Sequence, residues 1–259
     1  MRLTFRATAG AVVAAGLVAA LAVGTASAVG PSPSSPAIPS TDSARCAPPA
    51  QGEGAESVGN LRRFGDCEID RRLAFLARLA SRVADAPALS DAHRQALADE
   101  IATTTSGLTA LRATIDHETD VAALKADLKR IATDYRVYVL VAPKARLVIR
   151  ADRLDAGYAR FETVEQRLAD EIATAKAAGK DVTAAQAAYD AMTAKVDDAE
   201  ALLGPVAGSI LPLTPADWNA GTARPALVAA RSTLGEVGRL FAGARADARA
   251  CARALRALR

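Results

Sequence analysis

From residue 69 onward the apolar positions return every three or four residues, the repeat of one face of an α-helix. The first such seam carries Ile69, Leu73, Leu76, Ala80 and Val83 and stops near Ala86-Pro87. Ser90 suits the N-cap of a second helix, whose seam is Leu97, Ile101, Thr104, Leu108, Leu111 and Ile115. A tight turn at 116–119 leads to a third, with Val121, Leu124, Leu128, Ile131, Tyr135 and Tyr138. The fourth starts at Pro143 and carries Leu147, Ala151, Leu154, Tyr158, Phe161, Leu168, Ile172 and Ala175. Glu165 falls on that seam and Val164 is expected to take its place in the core. Gly179 suits a C-terminal cap. The fifth seam runs Val182, Ala185, Tyr189, Met192, Val196, Ala199 and Leu203. An irregular segment, 204–221, precedes a sixth seam through Leu227, Leu234, Val237, Phe241, Cys251, Leu255 and Leu258.

Asp134 to Pro143 is the one stretch that competes with this pattern, because Tyr135-Arg136-Val137-Tyr138-Val139-Leu140-Val141 taken alone has the composition of a buried strand. No second strand is available to pair with it, and a lone strand leaves its backbone groups unsatisfied. Both tyrosines also continue the third seam. The run therefore reads as the last turns of the third helix, apolar all round and buried. Pro143 then opens the next helix, where its missing N–H costs nothing. Tyr135, Tyr138 and Pro143 become a core pivot; an apolar ligand pocket lined by the two tyrosines is the sharper alternative.

Short turns between helices make neighbours antiparallel, and seams alternating 3 and 4 favour coiled-coil-like packing. The predicted fold is all-α: an elongated antiparallel bundle of about six helices over residues 57–259. Ahead of it, residues 1–28 read as a secretion signal, with Arg2 and Arg6, an apolar stretch from Ala11 to Val23 and an Ala26-Ser27-Ala28 cleavage site. Residues 29–56 are rich in Pro, Ser and Gly and read as a disordered leader.

Composition adds little chemistry. Only 4% of residues are aromatic, and the formal net charge is +3, which falls to about +1 once Arg2 and Arg6 leave with the signal. That balance demands no nucleic-acid partner. Cys67-Glu68-Ile69-Asp70-Arg71-Arg72-Leu73, Leu108-Thr109-Ala110-Leu111, Tyr135-Arg136-Val137-Tyr138 with Pro143, and Ala151-Asp152-Arg153 resemble a group of secreted bacterial helical proteins, mainly over residues 60–155. The resemblance implies an exported helical protein and no catalytic residues.

The chain has no nucleophile elbow, phosphate loop, His-Glu-x-x-His or Cys-x-x-Cys, so no enzyme activity and no cofactor is expected. Asp116, His117, Glu118 and Asp120 form a weak metal candidate; a capped turn is the plainer reading. His93 is expected in solvent. Arg245, Arg249, Arg253 and Arg256 make a basic stripe that could meet an anionic partner or simply face water. Leu202 to Leu213 is apolar and uncharged; it is expected to close one end of the core, with a membrane-dipping loop as the alternative. Trp218 should pin this segment down. Export would put three cysteines in an oxidising compartment, where Cys67–Cys251 is the expected pair and Cys46–Cys67 its rival. The expectation is an exported binding or scaffolding protein, secreted or at the cell surface, whose partner is an unidentified protein or cell-envelope component. The alternative is a protein acting on membrane or wall polymer through the 202–213 loop and the basic last helix.

Overall fold

A computed structural model describes Cys46 and residues 57–259. The expected signal segment (1–28) and the leader, Cys46 apart, lie outside the described residues. Six helices of thirteen residues or more and one of five account for nearly all of the described chain, and none of it is strand. They are α1 (Val58–Ala84), α2 (Asp91–His117), α3 (Val121–Thr133), α4 (Ala142–Ala177), α5 (Thr183–Ile210), α6 (Pro215–Asn219) and α7 (Ala223–Ala257).

The caps are largely those the sequence announces. Ser57, Ser90 and Asp120 each accept the N–H of the third residue of α1, α2 and α3, which satisfies one of the free donors at a helix start. Thr214 and Asp217 form a reciprocal capping box at α6, with Pro215 just inside. At the end of α1 the guanidinium of Arg94 donates to the carbonyls of Val83, Ala84, Ala86 and Leu89, so the first inter-helix turn is held by one side chain from α2. Gly179 takes φ 71° after α4, the left-handed conformation that lacks a steric penalty only in glycine.

Two three-helix groups share one continuous apolar core. The first consists of α1, α2 and α3; the second of α4, α5 and α7, with α5 and α7 forming the most extensive pairing. α5 runs antiparallel to both α4 and α7, so α4 and α7 run parallel, with Arg150 beside Leu234, Phe161 beside Phe241 and Glu171 beside Arg259. The 36 residues of α4 give it a length of about 54 Å, and its first turns reach back to the first group.

The Tyr135–Val141 run departs from expectation. It holds no strand and is helical from Val137, but it does not finish α3, which ends at Thr133. Arg136 turns the chain through a left-handed conformation (φ 43°), uncommon for a residue with a side chain. Val137–Val141 is then a π turn that runs straight into α4. The N–H groups of Val141 and Ala142 reach back five residues, to Arg136 and Val137. Pro143 explains the widening: inside a regular helix its ring meets the carbonyl four residues back, and the looser turn makes room. Only Val137, Leu140 and Val141 are buried; Tyr138 and Val139 are exposed. The expected pivot is thus split. Tyr135 packs over Gly107, where a Cβ would come within 2.5 Å of its ring. Tyr138 stands at the surface, edge-on to Phe75 at 5.2 Å and under the guanidinium of Arg72.

Two further expectations are corrected. The 204–221 segment is mostly helical, because α5 continues through Pro205 to Ile210. Leu203, Val206, Ala207 and Ile210 are buried, and this apolar face outweighs the local helix breakers. The 202–213 stretch therefore closes the core, and a loop free to enter a membrane is not present there. Trp218 packs against the core as expected. The disulfide joins Cys46 to Cys67 (Cα–Cα 5.4 Å), not Cys67 to Cys251. Cys67 sits on α1, which packs on α2 and α3, whereas Cys251 is a free, buried thiol on α7 among α4 and α5. First and last helices are not the neighbours that the favoured pairing required.

Candidate anion-binding groove

The parallel packing of α4 against α7 leaves a furrow along their seam. Its floor is Phe161, Val164, Ala248 and Ala252, its walls are Arg167, Arg245, Arg249, Arg253 and Arg256, and the hollow measures about 440 Å³. The spacing of the α7 arginines, 4, 4 and 3, keeps them on one flank of that helix. Successive arginines are thus about 4.5–6 Å apart along the helix axis. All five arginines are exposed. Among the described residues none of the five forms an ion pair. Arg245 lies over the ring of Phe161, 5.7 Å from its centroid, a cation–π contact that holds the guanidinium in place without neutralising it. The furrow continues past Arg167 toward Lys180 and Leu258, but there Glu171 faces Arg259 at 3.7 Å, so the unneutralised part is the Arg245–Arg256 stretch.

The other flank of the same helix carries the opposite sign. Glu162 and Glu165 of α4 face Asp197 and Glu200 of α5, with Tyr158 and Tyr189 among them. Tyr158 donates to Glu200 at 3.0 Å, and that hydrogen bond, with the nearby carboxylates, pushes its phenol up to about 12. Burial, then Asp197 and Glu162, raise the Glu165 carboxyl above its ordinary value, and one of its oxygens has no hydrogen-bond partner. Glu165 is thus half-buried with one oxygen held out of water, and Val164 packs against the core beside it.

The remaining candidates are placed as follows. His117 is exposed, and the acidic groups around it serve the backbone: Glu118 accepts from the N–H groups of Thr119 and Asp120, and Asp120 caps α3. Among the described residues no three His, Cys, Asp or Glu side chains stand together as metal ligands. His93 is not simply solvated; its Nδ1 lies 2.8 Å from Asp152 of α4, which also accepts the Ser90 N–H at 2.7 Å.

A residue that sequence reasoning missed is Lys144. It is 2% exposed, and its Nζ donates to Glu100 of α2 at 2.7 Å and to the carbonyls of Leu211 and Leu213 at 3.2 and 2.6 Å. Burial raises the Glu100 carboxyl, with Lys144 opposing that shift. The pair borders a hollow of about 400 Å³ that Tyr135 also lines, yet an ammonium group has three donors and all three are engaged. Lys144 is a bolt between α2, α4 and the end of α5, with no donor left for a ligand. Its one sequence signal was a lysine next to Pro143 on the apolar side of a helix start. A third hollow, of about 540 Å³ between α1 and α2, is mainly apolar, and its one cation, Arg94, is engaged by four carbonyls.

The chain matches no known family model, no curated protein and no solved structure. Among the described residues no helix is long and apolar enough to cross a membrane.

Proposed function

We propose that this is an exported binding protein, without catalytic activity, which holds an anionic polymer of the cell envelope in the α4/α7 groove. The observation that carries the reading is the set of five exposed arginines, none of them ion-paired, around an apolar floor. Arginine presents a planar fork that grips phosphate or carboxylate through two hydrogen bonds, and repeated charges along one furrow favour a repeated anion over a single one. The Cys46–Cys67 bond supports export, since such bonds persist in oxidising compartments. It agrees with the basic-apolar-small pattern of the first 28 residues. The apolar 202–213 stretch plays no part, being packed into the core.

The test is titration of the disulfide-bonded protein with linear polyphosphate as probe. If four phosphates are neutralised, affinity should fall about 50-fold between 50 and 200 mM salt, as for a single-stranded polyanion. Arg249→Glu with Arg253→Glu should abolish binding and leave the helical fold intact. Absence of binding at 50 mM salt, or equal binding by this variant, would end the proposal. Vesicles containing anionic lipid, run in parallel, show whether a membrane surface serves instead.

A further inference from the structure

The two flanks of α4 carry charge of opposite sign, the groove arginines on one and a group of carboxylates on the other. Oppositely charged side chains on neighbouring helices ordinarily meet, as Lys195 of α5 and Asp247 of α7 do at 2.5 Å. Along the middle of α4, between Tyr158 and Arg167, they do not. Glu162, Glu165, Asp197 and Glu200 form no ion pair within the described residues, and neither do the five groove arginines. Helical geometry places the two sets on opposite flanks: Glu162 and Arg167 are five residues apart on α4, about 140° around the axis. The charges are opposite in sign and similar in number, yet they do not touch within this helix group.

The side chains around the charges are those of an interface. Tyr158 and Tyr189 lie among the carboxylates and are half-buried, and Phe161 with its overlying Arg245 forms the floor opposite. Tyrosine and arginine are the residues over-represented where protein surfaces bind.

We infer that copies of this chain associate head to tail, the acidic α4/α5 face of one copy seated against the arginine groove of the next. The inference rests on the groove being open to an anionic partner, as proposed above, and names a second copy as one such partner. The two contacting faces differ, so the contact is heterologous and leaves one free face at each end; such contacts extend into chains unless the rotation closes a ring. A polyanion that fills the groove competes with the neighbouring copy.

Sedimentation velocity over a concentration series tests this. At low salt the average mass should rise with concentration, and at about 1 M salt, where the screening length is about 3 Å, it should return to the monomer. Two variants separate the faces: Glu162→Lys with Asp197→Lys on the acidic side, and Arg249→Glu with Arg253→Glu in the groove. Each alone should be monomeric at low salt, with an unchanged circular dichroism spectrum. Mixed together they should associate again, because each then offers what the other lacks. A wild-type monomer throughout, association that survives either double substitution, association indifferent to salt, or a mixture that stays monomeric would each overturn the inference. The acidic-face variant keeps its groove and should still bind polyphosphate, so failure of self-association and failure of polymer binding are read separately.

Discussion

Replacing Lys144 by methionine keeps the length of the side chain and removes one charge from the best-enclosed ion pair in the described chain. The Lys144 side chain is 2% exposed, and Glu100 opposite it keeps 22% of its side-chain exposure. Breaking a buried pair from one side costs about 3–5 kcal/mol, chiefly because the remaining charge is left desolvated. The freed carbonyls of Leu211 and Leu213 keep the variant toward the upper end. With a urea slope of about 2–3 kcal/mol per molar, the denaturation midpoint at pH 7 should fall by about 1–2 M. The loss should depend on pH in a definite sense. Burial already raises the Glu100 carboxyl in the folded protein, and Lys144 works against that shift; without the lysine it rises further. A carboxyl whose folded value lies above its unfolded value of 4.5 favours folding below that value. The contribution is lost as pH climbs through the folded value. The deficit of Lys144→Met should therefore be largest at neutral pH and shrink toward pH 4. Adding Glu100→Leu should recover most of the loss at pH 7, because two apolar groups replace the orphaned charge. Urea denaturation followed by far-ultraviolet circular dichroism at both pH values decides it. A deficit under 1 kcal/mol, a deficit that does not shrink in acid, or a double variant no better than the single one would refute the reasoning.

Further outcomes follow from the packing. Gly107→Ala should destabilise by about 1–3 kcal/mol, since its Cβ would overlap the Tyr135 ring. Gly157→Ala, in open space on α4, should stabilise by up to about 1 kcal/mol; both are read from thermal melts. Glu165→Gln should raise the melting temperature at pH 7 and lose that effect below the ordinary carboxyl value, because the raised carboxyl favours folding only while protonated. Reducing the Cys46–Cys67 bond, which closes a 21-residue separation, should cost about 3 kcal/mol in the chain-entropy model. Under non-reducing peptide mapping only Cys251 should carry a thiol label, and only after unfolding.

The helices were legible because their seams are long and regular: Leu97 to Ile115 and Val182 to Leu203 lie where the spacing puts them. The break at Arg136 was not, because its left-handed turn comes without glycine or asparagine and the 3–4 spacing runs through it unchanged. Pro205 and two flanking glycines look like a helix end, yet the buried faces of Val206 and Ile210 decide otherwise. The arginine stripe was visible on α7 from its spacing. That α4 would lie parallel beside it, supplying Arg167 and Phe161, depends on tertiary order that local spacing does not encode. The same limit hid the Cys46–Cys67 geometry and the Lys144 bolt, whose partners lie 44 to 69 residues away along the chain.

The long α4 helix also determines how this molecule can be divided. Its first turns present Ala145, Val148 and Ala151 to the core, while Phe161, Leu168 and Ile172 fill the second helix group. A cut before Ala142 takes from α2 the Lys144 and Asp152 side chains that hold Glu100, Ser90 and His93; a cut after Asp152 leaves α5 and α7 beside a shortened rod. Neither fragment inherits a finished surface, so recombination or truncation has no clean joint to use between residues 57 and 259. Ahead of α1, Cys46 is fastened to Cys67. Whatever module precedes the helices is therefore exchanged with that cysteine retained, or the first helix loses its covalent tie.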